Sequence, residues 1–147
     1  KDFLQKYFKR DLFFTDVEGK TKEEVLKNLC RKVEQEKGLP ETFTASVLKR
    51  EELTPTDYGN LVALPHPERA FHERAFVAVA VLKEPIFWFR QKVQVVFLTA
   101  IGREEDENLQ QFYEATTDLI LRPADVQNLI RHPNYDRLIQ LLRRAEE

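Results

Sequence analysis

The chain has 147 residues, of which 42% are hydrophobic and 33% charged, as is typical of one globular domain. Its 23 Lys and Arg residues nearly balance its 25 Asp and Glu residues, which excludes a nucleic-acid interface that depends on bulk positive charge. The single cysteine, Cys30, excludes an intramolecular disulfide, and no apolar run approaches the roughly 18 residues of a membrane span. The composition therefore indicates one cytoplasmic domain over residues 1–147, without membrane insertion.

The first third of the chain predicts an edge strand and two helices. The strand is a short apolar run at residues 12–14. Thr21 and Glu24 have the spacing of a capping box and begin a helix that ends at Gly38. A second helix is predicted over residues 41–52, because the apolar residues of this stretch fall on one helical face.

Three apolar runs in the middle of the chain predict strands, at residues 61–64, 75–82 and 93–101. The second run is apolar on both faces of a strand, which is typical of a sheet covered on both sides. The connections between the runs, about ten residues each, are short for helical crossovers. We therefore expect some neighbouring strands to be antiparallel or separated in the sheet.

Apolar residues return to helical spacing after Gly102 and predict three more helices. The first runs from Leu109 to Ile120, the second opens at Pro123, and the third begins at Tyr135. The order of helices, strands and helices predicts an α/β fold: a three-layer sandwich with a mixed β-sheet flanked by helices on both faces.

Few residues have the type and spacing that catalysis requires. The histidines His66, His72 and His132 lack partners at metal-ligand spacing, so neither a metal site nor a cofactor is expected. The absence of a glycine-rich phosphate loop and of a serine nucleophile elbow disfavours an ATPase or an α/β-hydrolase. His66 follows the predicted strand at residues 61–64, where reactive groups of open α/β sheets gather. Its imidazole is a candidate nucleophile, although its position alone also fits an ordinary turn histidine.

The segment from Arg50 to His66 resembles the phosphorylation-site signature of fructose/mannitol-type enzyme IIA domains of the bacterial phosphotransferase system. The matching elements, in family order, are Arg50-Glu51, Thr54-Pro55-Thr56, Gly59 and Ala63-Leu64-Pro65-His66. A further family element before the next strand is matched by Pro85-Ile86-Phe87-Trp88. The resemblance extends over essentially the whole chain and implies the α/β sandwich fold of that family.

The resemblance also implies a phosphoryl carrier. His66 would accept a phosphoryl group from phospho-HPr, and in the transport members the group passes on to a cysteine of an enzyme IIB. Arg50 matches the position credited with binding the phosphoryl oxygens, and a guanidinium suits this role because it is always charged and binds bidentately. Asn108 stands where transport members commonly carry a second histidine. Its amide is expected to stabilise the phosphate, but it cannot relay a proton.

Pro67 indicates a particular branch of the family, because many transport members have Gly or Ala directly after the histidine. The sequence around His66-Pro67 looks like the version at the C-terminal end of BglG-type antiterminators and activators. We therefore expect a regulatory domain that passes its phosphorylation state to neighbouring domains, and the absence of methionine favours an origin in a longer chain.

Three alternative functions stay open. The first is a transport enzyme IIA that hands the phosphoryl group from His66 to an enzyme IIB. The second is a binding module in which His66 is never phosphorylated. The third, a hydrolase using His66 with Asp57 or Glu68 as general base, is disfavoured because the sequence offers neither a serine nucleophile elbow nor a metal site.

Overall fold

The computed structural model describes residues 2–144, which form six helices and five strands. The elements are α1 (Asp2–Tyr7), β1 (Phe8–Phe14), α2 (Lys22–Lys37), α3 (Thr42–Leu53), β2 (Asp57–Gly59), β3 (Val62–Ala63), β4 (Phe76–Phe87), β5 (Lys92–Ala100), α4 (Leu109–Ile120), α5 (Pro123–Arg131) and α6 (Tyr135–Arg144).

The strands of the described region form one mixed sheet in the order β1-β4-β5-β3-β2. Strands β4 and β5 are antiparallel, and their register runs from Phe76 opposite Ala100 to Phe87 opposite Lys92. The outer pairs β1–β4 and β3–β5 are parallel, whereas β2 and β3 are antiparallel. Because β3 is parallel to β5, the segments that follow these two strands leave the sheet at the same edge.

Helices cover both faces of this sheet. Successive residues of β4 point to opposite sides, so Val77 and Val79 join one apolar core while Phe76 and Ala78 join the other. Helices α2 and α3 pack on the second core, and α1, α4, α5 and α6 pack on the first. The predicted three-layer α/β sandwich with a mixed sheet is therefore confirmed.

Helix α2 begins and ends as its sequence predicts. The Thr21 hydroxyl accepts the Glu24 N–H at 3.2 Å, and the Glu24 carboxylate accepts the Lys20 N–H at 2.8 Å. A standard capping box would use the N–H of the cap residue itself, so here the return bond lies one residue earlier. Gly38 ends the helix in the left-handed conformation, with φ of 68°, which glycine adopts without a steric penalty.

The predicted strand at residues 61–64 is too long, because β3 contains only Val62 and Ala63. Asn60 and Leu61 have positive φ angles of 55° and 69°, and these left-handed residues form a tight turn between β2 and β3 instead of extended strand. Strand β2 and helix α1 were not predicted. Both are too short for hydrophobic periodicity to show.

Candidate functional site

His66 lies where the chain leaves β3 at the edge of the sheet. Backbone hydrogen bonds hold the residues before it on both sides: Leu64 N–H donates to the Thr56 carbonyl, and Thr99 N–H donates to the Pro65 carbonyl, both at 3.0 Å. The segment leading to the histidine is therefore clamped between the chain before β2 and the end of β5, although the regular strand stops at Ala63.

The His66 side chain is half-buried, and its Nδ1 atom lies 3.3 Å from the carbonyl oxygen of Leu64. A carbonyl oxygen only accepts hydrogen bonds, so this contact assigns the ring proton to Nδ1. In the neutral ring, Nε2 then carries the free lone pair. The local backbone thereby leaves Nε2 as the ring atom with an available lone pair.

A cavity of about 410 Å³ adjoins His66, between the segment at residues 64–69 and helix α4. Its lining includes Phe112 and Tyr113 of α4, the Thr99 side chain of β5 and Ile101 directly after β5. Ile101 and Tyr113 are both exposed to 40% or more, and partial burial raises the pKa of the Tyr113 phenol above its ordinary value. The histidine thus stands in a depression whose rim offers apolar and aromatic surface to another molecule.

Arg50 lies in the last turn of α3, the helix that packs against the segment after His66. One turn earlier on the same helical face, the buried Ser46 hydroxyl accepts the Glu68 N–H at 2.7 Å. The Arg50 guanidinium donates from Nη1 to the Thr54 carbonyl at 2.9 Å, and within residues 2–144 it makes no hydrogen bond to the His66 ring. The structure therefore places Arg50 on the helix face next to residues 64–69, the histidine segment. Its guanidinium, however, bonds the Thr54 carbonyl.

Asn108 directly precedes α4 and is not among the residues that line the His66 cavity. Its side-chain oxygen accepts from Lys6 Nζ at 3.1 Å, and its side-chain nitrogen donates to Gln111 Oε1 at 2.7 Å. Helix α1 brings Lys6 to this position because the Tyr7 ring stacks on Phe112, with 4.6 Å between ring centroids. Lys6 was missed by the sequence analysis, since nothing in the sequence relates it to residues a hundred positions away.

The two other histidines lie away from the His66 cavity. His72 accepts the Arg74 N–H through Nδ1 at 3.2 Å, and His132 is exposed at the end of α5. Among residues 2–144, no cluster of three or more His, Cys, Asp or Glu side chains could hold a metal ion. Nor does any helix of this region combine the length and apolar character needed to cross a membrane.

Solved structures identify the class of fold to which this arrangement belongs. Enzyme IIA of the Escherichia coli mannitol system, determined in complex with phosphorylated enzyme IIB, superimposes with a TM-score of 0.74 at 19% identity, covering 92% of this chain and 97% of that one. The nitrogen regulatory protein IIA-Ntr from Neisseria meningitidis superimposes with a TM-score of 0.78 at 18% identity, covering 95% and 99%. The fold is that of enzyme IIA domains of the mannitol type.

The sequence places the chain within a family. The model of the family described as "Phosphoenolpyruvate-dependent sugar phosphotransferase system, EIIA 2" matches residues 6–145, and the chain belongs to this family. Two curated relatives come from Bacillus subtilis (strain 168). The "Probable licABCH operon regulator" is 36% identical over 138 residues, which are 94% of this chain and 22% of that protein. The "Transcriptional regulator ManR" is 27% identical over 123 residues, 84% of this chain and 19% of that protein. The chain thus spans about a fifth of the length of these relatives.

The Ser46 hydrogen bond predicts a local effect on the histidine segment. Ser46→Ala leaves the Glu68 N–H without its acceptor and should lower the free energy of unfolding by about 1 kcal/mol. Hydrogen exchange of the Glu68 amide should accelerate more than that of the sheet. Thr42→Ala, at an exposed position of the same helix, is the control and should stay within about 0.5 kcal/mol of the parent. Equal exchange at Glu68 in the parent and in Ser46→Ala would contradict the anchoring role.

Proposed function

We propose that this chain is the phosphoacceptor domain of a transcriptional regulator. His66 receives a phosphoryl group from phospho-HPr, and its phosphorylation state couples the sugar phosphotransferase system to transcription. Membership of the EIIA 2 family supports the phosphoacceptor role, and the two relatives named as regulators support the regulatory one. The observation that carries the proposal is the orientation of the His66 ring, which leaves Nε2 as its nucleophilic atom.

The proposed step is an in-line transfer between two nitrogen atoms. The Nε2 lone pair of His66 attacks phosphorus on the phosphohistidine of HPr, and a new N–P bond forms while the donor's N–P bond breaks. The electron pair of the broken bond stays on the donor's ring nitrogen. The Leu64 carbonyl stabilises the positive charge that develops on the His66 ring, because it accepts a hydrogen bond from Nδ1–H throughout the step. The step requires no cofactor and no metal.

Arg50 supplies the positive charge for the transferred group in this proposal. A guanidinium has five N–H donors in a planar fork, and the Thr54 carbonyl accepts from Nη1. Ser46 bonds Glu68, two residues after His66, and Glu51 bonds Thr56, whose carbonyl accepts the N–H of Leu64. This turn of α3 is therefore tied to the chain around the histidine. In this role the guanidinium turns from the Thr54 carbonyl to the phosphoryl oxygens, with which it can pair bidentately.

Asn108 is assigned the role of a hydrogen-bond donor to the phosphoryl group. Its side-chain nitrogen has two N–H groups and donates one to Gln111 in the unphosphorylated domain, so the second is the one that would donate to a phosphoryl oxygen. Lys6 remains beside the Asn108 side-chain oxygen and adds a positive charge to this end of α4. The amide itself cannot share a proton, which separates this chain from members with a second histidine.

The regulatory consequence follows from charge. A phosphoryl group adds about −1.5 to −2 charges at neutral pH. Without it, the rim of the cavity at His66 consists of Ile101 and Tyr113 together with one acidic and one basic residue, Glu68 and Arg69. The change would alter contacts with neighbouring regulatory domains of a longer cytoplasmic protein, in which residues 1–147 form one enzyme IIA module. Any contact with DNA or RNA would then belong to another part of that protein.

A transport role is the second candidate function. In it, phospho-His66 passes its group to a cysteine of an enzyme IIB. The structural likeness to an enzyme IIA solved together with phosphorylated enzyme IIB favours it.

Phosphorylation of His66 can be measured directly. Incubation with phosphoenolpyruvate, enzyme I and HPr should add the mass of one phosphoryl group, which mild acid removes, and nitrogen NMR should locate it on Nε2. His66→Ala should not be labelled, whereas the control variants His72→Ala and His132→Ala should label normally. An adduct that survives in His66→Ala would refute the assignment.

Arg50 has a predicted kinetic signature. Arg50→Ala should slow phosphorylation of His66 by roughly a hundredfold, the scale of losing one charge-stabilising donor group. Arg50→Lys should recover only part of the rate, because it keeps the charge and loses the fork. Lys49→Ala, which removes the adjacent exposed cation, is the control for general electrostatics. The role of Arg50 is excluded if Arg50→Ala and Lys49→Ala change the rate equally.

The regulatory and transport roles differ in where the phosphoryl group goes. For a regulatory domain, the phosphorylated form should persist for many minutes when mixed with a mannitol-type enzyme IIB that has an intact active cysteine. Transfer is measured by the loss of label from His66 and its appearance on that cysteine, and a cysteine-to-serine enzyme IIB is the control. Discharge within seconds would favour the transport role.

A further inference from the structure

Glu51 is a buried carboxylate within the segment that carries the family resemblance. Its exposed fraction is 3%, and burial of a carboxylate is unfavourable unless hydrogen bonds replace its water. Oε1 accepts the Thr56 hydroxyl at 2.7 Å, and Oε2 accepts the Thr56 N–H at 2.7 Å and Trp88 Nε1–H at 3.0 Å. Lys22 Nζ lies 3.7 Å from Oε2. Both oxygens therefore accept from Thr56, and Trp88, in the connection between β4 and β5, also donates to the carboxylate.

The hydrogen bonds continue from Thr56 to the functional histidine. The Thr56 carbonyl accepts the Leu64 N–H at 3.0 Å, and the Leu64 carbonyl lies 3.3 Å from His66 Nδ1. Hydrogen bonds, joined by the backbone of Thr56 and of Leu64, therefore connect the indole of Trp88 to the imidazole of His66, and Glu51 is the one charged residue on this path. The path joins α3, the hairpin between β4 and β5 and the histidine segment.

The carboxylate controls the orientation of Thr56 more tightly than a single acceptor would. Because its two oxygens engage the N–H and the hydroxyl of the same residue, they fix both the backbone and the side chain of Thr56. The Thr56 carbonyl then holds Leu64 through its N–H, and Leu64 presents its own carbonyl to the His66 ring. A displaced Leu64 carbonyl would cease to select the Nδ1-protonated form of His66 and would let the ring rotate.

We propose that Glu51 is a positioning residue, which acts through Thr56 and Leu64 to hold His66 in the orientation that leaves Nε2 free. Its effect on phosphoryl transfer rests on the function proposed above for His66, whereas its effect on the ring exists in the unphosphorylated domain. Glu51 contributes by hydrogen-bond geometry. Glutamine can preserve that geometry, since its oxygen can accept from Thr56 N–H and Trp88 while its nitrogen donates to the Thr56 hydroxyl.

The test compares Glu51→Ala and Glu51→Gln with a variant that perturbs only packing. Val47→Ala is the matched control, because Val47 is fully buried on the same helix and has no polar side-chain atom. Nitrogen NMR of the unphosphorylated domain gives the tautomer of the His66 ring, and labelling from phospho-HPr gives the transfer rate. Denaturant unfolding measures stability for each variant.

Glu51→Ala should shift the His66 ring towards a mixture of tautomers and slow labelling roughly ten- to a hundredfold. Glu51→Gln should restore the parent tautomer and most of the rate. Val47→Ala should lose stability while its ring tautomer and labelling rate stay at parent values. A parent-like tautomer in folded Glu51→Ala, or an equal change in Val47→Ala, would overturn the proposal.

Two milder variants keep the test decisive if Glu51→Ala does not fold. Trp88→Phe removes the indole donor and keeps an aromatic ring, and Thr56→Val removes the hydroxyl and keeps the backbone N–H. Each should shift the tautomer in the same direction as Glu51→Ala, and an unchanged ring in both would overturn the proposal. Because the NMR measurement needs no phosphoryl donor, a domain that is never labelled would refute the proposed function and leave the positioning role to be decided by the ring.

Discussion

Strands β4 and β5 pair along most of their length, and 14 of their 21 residues are buried. A sheet whose centre is apolar on both faces must be covered on both faces, and this requirement places two helices on one side and four on the other. The same pairing provides the parallel neighbours β1 and β3 with their hydrogen bonds. The histidine segment is therefore attached to the most deeply buried part of the molecule, through β3 and the Pro65 carbonyl.

The elements that the sequence predicted correctly carry strong local signals. Helix α2 has a cap and a terminal glycine, and the seven buried residues that open β4 form an apolar run too long to mistake. The two-residue strand β3 was overestimated because Leu61 is apolar and yet takes a left-handed conformation, which depends on the turn and not on hydropathy. Helix α1 was missed since six residues are fewer than two helical turns.

The candidate site likewise contains residues that the sequence indicates and contacts that the sequence does not reveal. His66 and Arg50 could be named because their residue types and spacing match a family signature, and α3, which carries Arg50, packs against the residues that follow His66. The partners of Asn108 could not be predicted, because its bond to Lys6 joins residues 102 positions apart. The sequence showed Glu51 only as a member of the motif, because a charged residue near a helix end is ordinarily exposed. The burial of Glu51 depends on its hydrogen bonds to Trp88 and Thr56.

Trp88 is the single tryptophan of the chain, and 4% of its surface is exposed. Its indole N–H donates to the Glu51 carboxylate, which three hydrogen bonds, by way of Thr56 and Leu64, connect to the His66 ring. Indole emission depends on the charges and hydrogen bonds around the ring, and the tryptophan emission of this chain has one source, whose N–H bonds the carboxylate that holds Thr56. The domain thus carries its own optical reporter of the local structure around His66, without a label and without a substitution.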